Sequence, residues 1–322
     1  MDPTARVIYL AEIASKYYDQ HKTQQEIADE IGVTRSAVSR LLTEAHQKGI
    51  IEIIVHYPYR TSTELEKALQ NTFGLKAARV LIRENKDDEE TLAGVGRLAA
   101  QYFISILNEK AVVGVSWGTG LYQMVRAMRP MSYPHVEVVQ LVGGMGAQKP
   151  SAIGSLLAPL LADLLGCTCH YLPAPTITES AAVRNAFMQE RSIRETLDLA
   201  FRADIALVGI GSIKPEVNTP YKLGIINDEE LQSLLSAGAV GNVCGYFYDI
   251  HGNFLDVDVN HRLVGIELKD LVHIPTVIGV SGGVQKAEGI LGALRGKYIN
   301  ILITDDRTAR RILEIEGNSS AF

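Results

Sequence analysis

Two sets of residues in this chain of 322 have types and spacings suited to chemistry, and in both the chemistry is non-covalent recognition of an anionic ligand. The first is a series of glycine clusters. Ser116-Trp117-Gly118-Thr119-Gly120, Gly143-Gly144-Met145-Gly146, Gly209-Ile210-Gly211-Ser212 and Ser281-Gly282-Gly283 each follow an apolar run that reads as a strand. Glycine lets backbone amides come close to a ligand, and a helix starting beyond it offers unpaired amides and a positive dipole end. One such turn means little, because any strand-to-helix connection can hold glycine. Four in one domain point to a shared anion-binding pocket, since open α/β sheets bind ligands at the carboxyl ends of their strands. Thr119 is placed to cap the next helix and offers a phosphate both hydroxyl and amide. Lys286 falls in the first turn of a predicted helix, where a cation opposes the dipole unless it faces a bound anion. Its alternative reading is a solvated surface lysine. Asp249 is equally suited to accepting from sugar hydroxyls and to capping the turn His251-Gly252-Asn253.

The second set lies between Thr23 and Gly49. Thr23 and Glu26 form a capping box that starts one helix, and Gly32 ends it, with Val33 available to plug the corner before a second helix capped by Thr34. At 100° per residue Ala37, Val38, Leu41, Leu42 and Ala45 share one arc of that helix. Ser36, Ser39, Arg40, Thr43 and Gln47 share the opposite arc, which is polar, short-chained and almost free of acid. Such a face suits the major groove of DNA, where serine, glutamine and arginine can pair with base edges. Arg40 is the first choice for base contact. Gln24, Gln25, Arg35 and Lys48 are placed for backbone phosphate, which positions without specifying. The competing reading, a helical hairpin with a solvated face, does not explain why cap, turn glycine and polar arc agree.

Composition limits these readings. Net charge is −6, and residues 1–60 hold seven Lys or Arg against eight Asp or Glu, so bulk charge gives no support to DNA binding. The support is local: between Arg35 and Lys48 three bases face only Glu44. Of the three cysteines, Cys167 and Cys169 stand two apart, with no further cysteine or histidine at ligand spacing. They read as small apolar packing in a reducing compartment, with no metal and no cofactor implied. The N-terminus lacks a signal-peptide pattern, and the longest apolar run, near Leu156 to Ala162, stops at Asp163. A soluble cytoplasmic protein without membrane contact is expected.

The elements that must position both sets alternate along the chain. Residues 5–20 place Val7, Leu10, Ala11, Ala14 and Tyr18 at helical spacing, as the floor of the helix-turn-helix, with Tyr17 and Tyr18 read as core. The β-branched run Ile50 to Val55 is a candidate wing strand, left undecided. Thr61 with Glu64 predicts a capped short helix ending near Phe73. From Ala77 onward strands and helices alternate, which predicts an α/β domain with a mostly parallel sheet. Glu179 to Ala203 reads as one helix. The expected organisation is therefore an all-α helix-turn-helix domain over 1–56, a linker and connecting helix over 57–76, an α/β effector domain over 77–316 and a frayed tail over 317–322.

The block QQEIADEIGVTRSAVSRLL, followed by VGVSWGTG, VVQLVGG, VGIGS and GALRGKYINILITD, resembles the SorC/DeoR-type sugar-sensing transcriptional regulators over nearly the whole chain. The resemblance implies double-stranded operator DNA and a phosphorylated sugar or related small carbohydrate as partners, a homo-oligomer, dimer or tetramer, and an effector domain similar to phosphosugar isomerases and deaminases. It favours the loop Ser116 to Gly120, the first glycine cluster, Asp249 and Lys286 as effector contacts. Val142 ends VVQLVGG, so no lysine stands there to form an imine with an aldehyde, and reversible binding is expected. The competing class is an active phosphosugar isomerase or deaminase carrying a DNA module. It needs a general base, for which only Asp249 and His251 offer themselves, so no catalytic residue is assigned.

Overall fold

The computed structural model describes residues 2–51, 60–144 and 156–317. The chain divides into two compact units, 1–58 and 59–322.

In the first unit α1 (Pro3–Tyr18), α2 (Gln24–Ile31) and α3 (Arg35–Gln47) bury Leu10, Ile13, Ile27, Ala28, Val38, Leu42 and Ala45 in one cluster. The boundaries follow from local chemistry. Thr23 and Glu26 form a reciprocal capping box, Gly32 takes the left-handed conformation at φ 70°, and the Thr34 hydroxyl accepts from the Ala37 amide at 3.2 Å. Val33 is not the corner plug. The Gly32 turn carries its backbone amide to the Ala28 carbonyl and leaves the side chain outside, while Ile27 and Val38 fill the corner. Tyr17 is partly buried against this cluster, as expected, whereas Tyr18 on the last turn of α1 is exposed. Of the candidate wing strand, residues 52–55 lie outside the described residues.

The second unit begins with α4 (Thr63–Phe73). Its cap is Ser62, not Thr61, which instead pairs with Leu81 through an isolated antiparallel bridge. This helix belongs to the α/β domain and not to a linker: Leu65 and Leu69 are fully buried in the core shared with the sheet, each contributing about 1.5–3 kcal/mol.

Seven strands form a parallel sheet: β1 (Ala77–Leu81), β2 (Val112–Val115), β3 (Glu137–Gln140), β4 (Thr168–His170), β5 (Ile205–Ser212), β8 (Thr276–Val280) and β9 (Ile301–Asp305). Their order is β1-β9-β8-β5-β2-β3-β4. Between β5 and β8 the chain makes a hairpin, β6 (Ala239–Val243) and β7 (Tyr246–Asp249), which extends the far end of β5 antiparallel. Both faces of the sheet are covered, as a parallel sheet requires. On β5, Ile205 and Leu207 enter one core layer while Ala206, Val208 and Ile210 enter the other.

The crossover after β2 runs outward to β3 and the one after β5 runs the other way, to β8, so the order reverses between β2 and β5. Ligands of open α/β sheets bind at such a switch point. The expected helix Glu179 to Ala203 is two helices, Ala181–Gln189 and Arg191–Phe201, broken where Glu190 is extended. The break lets Phe187 and Ile193 pack in one small cluster with Leu172 and Val264. The tail, residues 318–322, lies outside the described residues, as do Met145 and Gly146.

Candidate functional site

On α3 the side chains of Ser36, Ser39, Arg40, Thr43 and Gln47 are all exposed. Several are held locally: the Thr34 and Ser36 hydroxyls lie 3.0 Å apart, Thr43 Oγ1 donates to the Ser39 carbonyl at 3.0 Å, and Arg40 Nε to the Ser36 carbonyl at 3.4 Å. These contacts order short side chains without consuming the rest of the Arg40 guanidinium. Gln24, Gln25 and Arg35 meet in one open concavity of about 920 Å³, beside Tyr17, Tyr18 and His21. Lys48 lies at the opposite end of α3, 3.1 Å from Glu44. Arg6 and Lys48 together hold the Glu44 carboxyl down to about 2, so the one acid near the face is neutralised by cations.

In the second unit a cleft of about 780 Å³ opens at the carboxyl edge of the sheet. Most of its walls follow strands, Arg83 after β1, Thr119 after β2, Thr219 and Lys222 after β5, Gly282 to Lys286 after β8 and Arg307 after β9, while Asp88, Thr91 and Leu92 come from the helix Asp88–Ile106. A smaller recess beside it, at the switch point, is bounded by Trp117 to Gly120, Gly209 to Gly211 and Lys286. Glycine is required here by close approach. A Cβ on Gly118, whose φ is 154°, would sit 2.9 Å from the Gly209 Cα, and one on Gly120 would meet the Val280 carbonyl at 2.5 Å. A Cβ on Gly211 would meet the Asn242 side chain at 2.5 Å, and one on Gly282 the Asp305 carboxylate at 2.9 Å.

The helix α6 (Thr119–Ala127) starts at this recess with no side chain capping it, so its first-turn amides stay available to an anion. Thr119 is the first helical residue and not the cap. Its hydroxyl instead accepts from Lys286 Nζ at 3.3 Å. Lys286 closes a short 3₁₀ turn, Val284–Lys286, ahead of the helix Ala287–Arg295. Burial, assisted by the nearby positive charge of Lys222, pushes its amine down to about 8. Among the described residues neither Lys222, Lys286 nor Arg307 has an acidic partner. The arrangement concentrates positive charge around a hydroxyl and open amides, which is suited to binding a phosphate.

Not all the expected residues come together. Gly143 and Gly144 follow β3, on the far side of the switch point, and their amides are spent on the Val264 and Ala174 carbonyls. Ser116 is buried beneath the loop, and the Gly283 amide is held by the Asp305 carboxylate and the Thr308 hydroxyl, both at 2.9 Å. Asp249 lines neither cavity. It caps its own turn, accepting from the amides of His251 at 2.9 Å and Asn253 at 2.8 Å. Burial acts to raise its carboxyl, yet these hydrogen bonds outweigh it and hold the group below the usual range. Of the two roles open to Asp249, the structure shows the turn cap: its carboxylate is committed to the residues that follow β7.

The cleft also contains residues the sequence analysis missed, notably Arg83, Lys222 and Arg307. Arg307 was available to the reasoning that found Lys286, since it too is a cation in a first helical turn, that of Asp306–Ile315. Among the described residues no group of three His, Cys, Asp or Glu is placed to hold a metal.

Residues 57–314 match the sugar-binding domain family, and residues 5–61 match a Crp-like helix-turn-helix domain. The chain is 35% identical over 302 residues to the deoxyribonucleoside regulator of Bacillus subtilis, covering 94% of this chain and 96% of that one. It is 34% identical over 311 residues to the transcriptional regulator LsrR of an Enterobacter species, with 96% and 93% covered. The solved full-length sorbitol operon regulator SorC of Klebsiella pneumoniae superimposes with a TM-score of 0.70 at 32% identity, covering 95% of this chain and 99% of that one. These relatives are transcriptional regulators and not enzymes. With a sugar-binding domain over most of its length, a Crp-like helix-turn-helix ahead of it and relatives that match nearly end to end, the chain belongs to the SorC/DeoR family of transcriptional regulators.

Proposed function

We propose that this regulator binds operator DNA through α3 and that a phosphorylated sugar, held in the cleft of the α/β domain, sets its affinity for that DNA. The observation that carries the sugar-phosphate reading is the pairing of Lys286 with Thr119 beside uncapped amides, with no acid opposing the lysine. A neutral sugar would leave that charge uncompensated. The regulator works as a homo-oligomer in the cytoplasm on a pseudo-palindromic operator, because one short recognition helix reads too few bases for selectivity in a genome. Catalysis finds no support at the cleft, since Asp249 is spent on its turn and His251 lines neither cavity.

The test is a titration of sugar phosphates and free sugars by thermal shift, followed by calorimetry of the best ligand with and without operator. A phosphorylated sugar is expected to raise the melting temperature where its free counterpart does not. Operator is expected to change its affinity by a factor equivalent to about 1–3 kcal/mol. Equal affinities in the two titrations would leave a binding site with no switch, and no response to any phosphorylated sugar would overturn the reading of the cleft.

A further inference from the structure

We infer that Cys244, a buried residue that lines neither cavity, is a positioning residue for the effector site: its side chain holds the loop Ser116 to Gly120 in the shape that receives the anion. The inference rests on the sugar-phosphate reading above and deepens it by naming what sets the recess at the switch point. The backbone gives the first sign. Val243 pairs with Tyr246, so Cys244 and Gly245 alone turn the β6–β7 hairpin, and both have positive φ, 52° and 85°. Such two-residue turns are of type I′, whose first position favours asparagine, aspartate or glycine, because other side chains are strained there. Here the turn is buried, with Cys244 only 2% exposed. Burial excludes asparagine and aspartate, which would leave polar atoms unpaired, but it does not exclude glycine, which would fit without strain. A side chain stands there at a conformational cost, so what it touches matters.

It touches the loop. The Cys244 thiol faces the Ser116 hydroxyl, which is buried without a hydrogen-bond partner among the described residues. Burial pushes this thiol up to about 12, so it packs as a neutral group and is no nucleophile. Cys244 shares a core cluster with Trp117, and a Cβ on the next residue, Gly245, would lie 3.7 Å from Trp117 Cζ2. The turn therefore abuts the indole as well as the hydroxyl. Strand β5 meets the same loop through its backbone: a Cβ on Gly209 would come 2.5 Å from the Trp117 carbonyl and 2.9 Å from the Gly118 Cα. Backbone on one strand and side chains on one turn fix where Trp117 sits, and the residues directly after it, Gly118 to Gly120, bound the recess beside Lys286. A close-packed interior transmits small shifts. Removing the side chain of Cys244 lets Ser116 and Trp117 sink toward the turn, and the amides at the start of α6 move with them.

The test reads loop and ligand separately. Trp117 is the one tryptophan of the chain, so its emission reports this loop alone. The full-length parent, Cys244→Gly and Cys244→Ser are compared by emission and acrylamide quenching without ligand, and by thermal-shift titration with inorganic phosphate. Cys244→Gly relieves the positive φ while losing packing, so its ligand-free melting temperature is expected to stay within about 3 °C of the parent. Its Trp117 emission should nevertheless move to the red, and its phosphate affinity should fall about fivefold or more. Cys244→Ser keeps a short side chain under Ser116 and should match the parent in emission, with affinity within about twofold. Unchanged emission or unchanged affinity in Cys244→Gly overturns the inference while the sugar-phosphate reading stands. A melting temperature that falls well beyond that range, or an affinity loss shared by Cys244→Ser, marks an ordinary packing residue and overturns it equally. If the parent itself ignores phosphate, the sugar-phosphate reading falls and the inference falls with it.

Discussion

The recognition face of α3 comes from thirteen consecutive residues, whereas the cleft draws its polar groups from the ends of β1, β2, β5, β8 and β9, spread over more than two hundred positions. The two regions also treat charge differently. Near α3 the single acid, Glu44, is held by Arg6 and Lys48, so the face is prepared by internal pairing. In the cleft Lys286 has a hydroxyl for a partner and a second lysine for a neighbour, so its charge is left unbalanced. A surface that meets a polyanion can rely on many weak contacts, because DNA presents a phosphate wherever the protein lands. A pocket for one small anion must concentrate its positive charge before the ligand arrives, and the cost appears as a lysine that is reluctant to stay protonated.

The largest effect is expected where charge is most concentrated. Lys286→Ala removes the cation proposed to meet the phosphate and should weaken sugar-phosphate binding ten- to a hundredfold, the worth of a charge-assisted hydrogen bond of about 1.5–3 kcal/mol. The wild-type affinity should carry a pH signature. With the free amine at about 8, the lysine is charged below that value, and affinity should fall as pH rises through it. Stability moves the opposite way. The folded state holds the proton less tightly than the unfolded chain, so the empty protein should gain stability between pH 8 and the ordinary lysine value of 10.5. Titrations at pH 7 and pH 9 separate the two, and an affinity independent of pH would show that Lys286 does not face the anion.

Next comes α3. Arg40→Ala should reduce the preference for operator over random DNA by about 1–3 kcal/mol while leaving binding to random DNA nearly unchanged. Competition binding with the two DNAs reads this directly. If the variant discriminates as well as the parent, base contact belongs to Ser39 or Gln47 and not to Arg40.

How far each region was legible follows from the same contrast. The helix-turn-helix could be read because its caps, turn and arcs are local: Thr23 with Glu26, Gly32 and Thr34 each act within four residues. The glycines of the cleft were also visible, since each follows its own strand. Which of them share an edge depends on strand order. The reversal between β2 and β5 brings Gly118 against Gly209 and leaves Gly143 and Gly144 beyond the switch point, and no local pattern encodes it. Arg83 escaped for the same reason, whereas Arg307, a cation in a first helical turn like Lys286, was open to the local argument. Thr61 lost the cap to Ser62 because a cross-strand bridge to Leu81 claimed it.

Asp249 offers a moderate effect and a sharp control. Removing its carboxylate orphans the amides of His251 and Asn253 at a partly exposed turn, so Asp249→Ala should cost about 1 kcal/mol of stability, measured by denaturant unfolding. Sugar-phosphate affinity should stay within twofold. A collapse of affinity with stability unchanged would mean that the residue leaves its turn to meet the ligand, and the division between cleft and hairpin would fail.

The smallest effect tests the DNA side by its dependence on salt. Each lysine or arginine that neutralises a phosphate releases counterions, so losing one lowers the slope of log affinity against log salt by about 0.9. Arg35 is exposed at the start of α3 with no acidic partner among the described residues, and Arg35→Ala should lower the slope by that full amount. Lys48 already pairs with Glu44 at 3.1 Å. A phosphate must compete with that carboxylate, whose grip on its cations is strong enough to hold it near 2, so less counterion is released when Lys48 engages DNA. Lys48→Ala should therefore lower the slope by clearly less than Arg35→Ala, with the same loss on operator and random sequences. Equal slopes would mean that Lys48 abandons Glu44 on binding, leaving the carboxylate to Arg6 alone, and Arg6→Ala would then be the substitution that perturbs DNA affinity most at low salt.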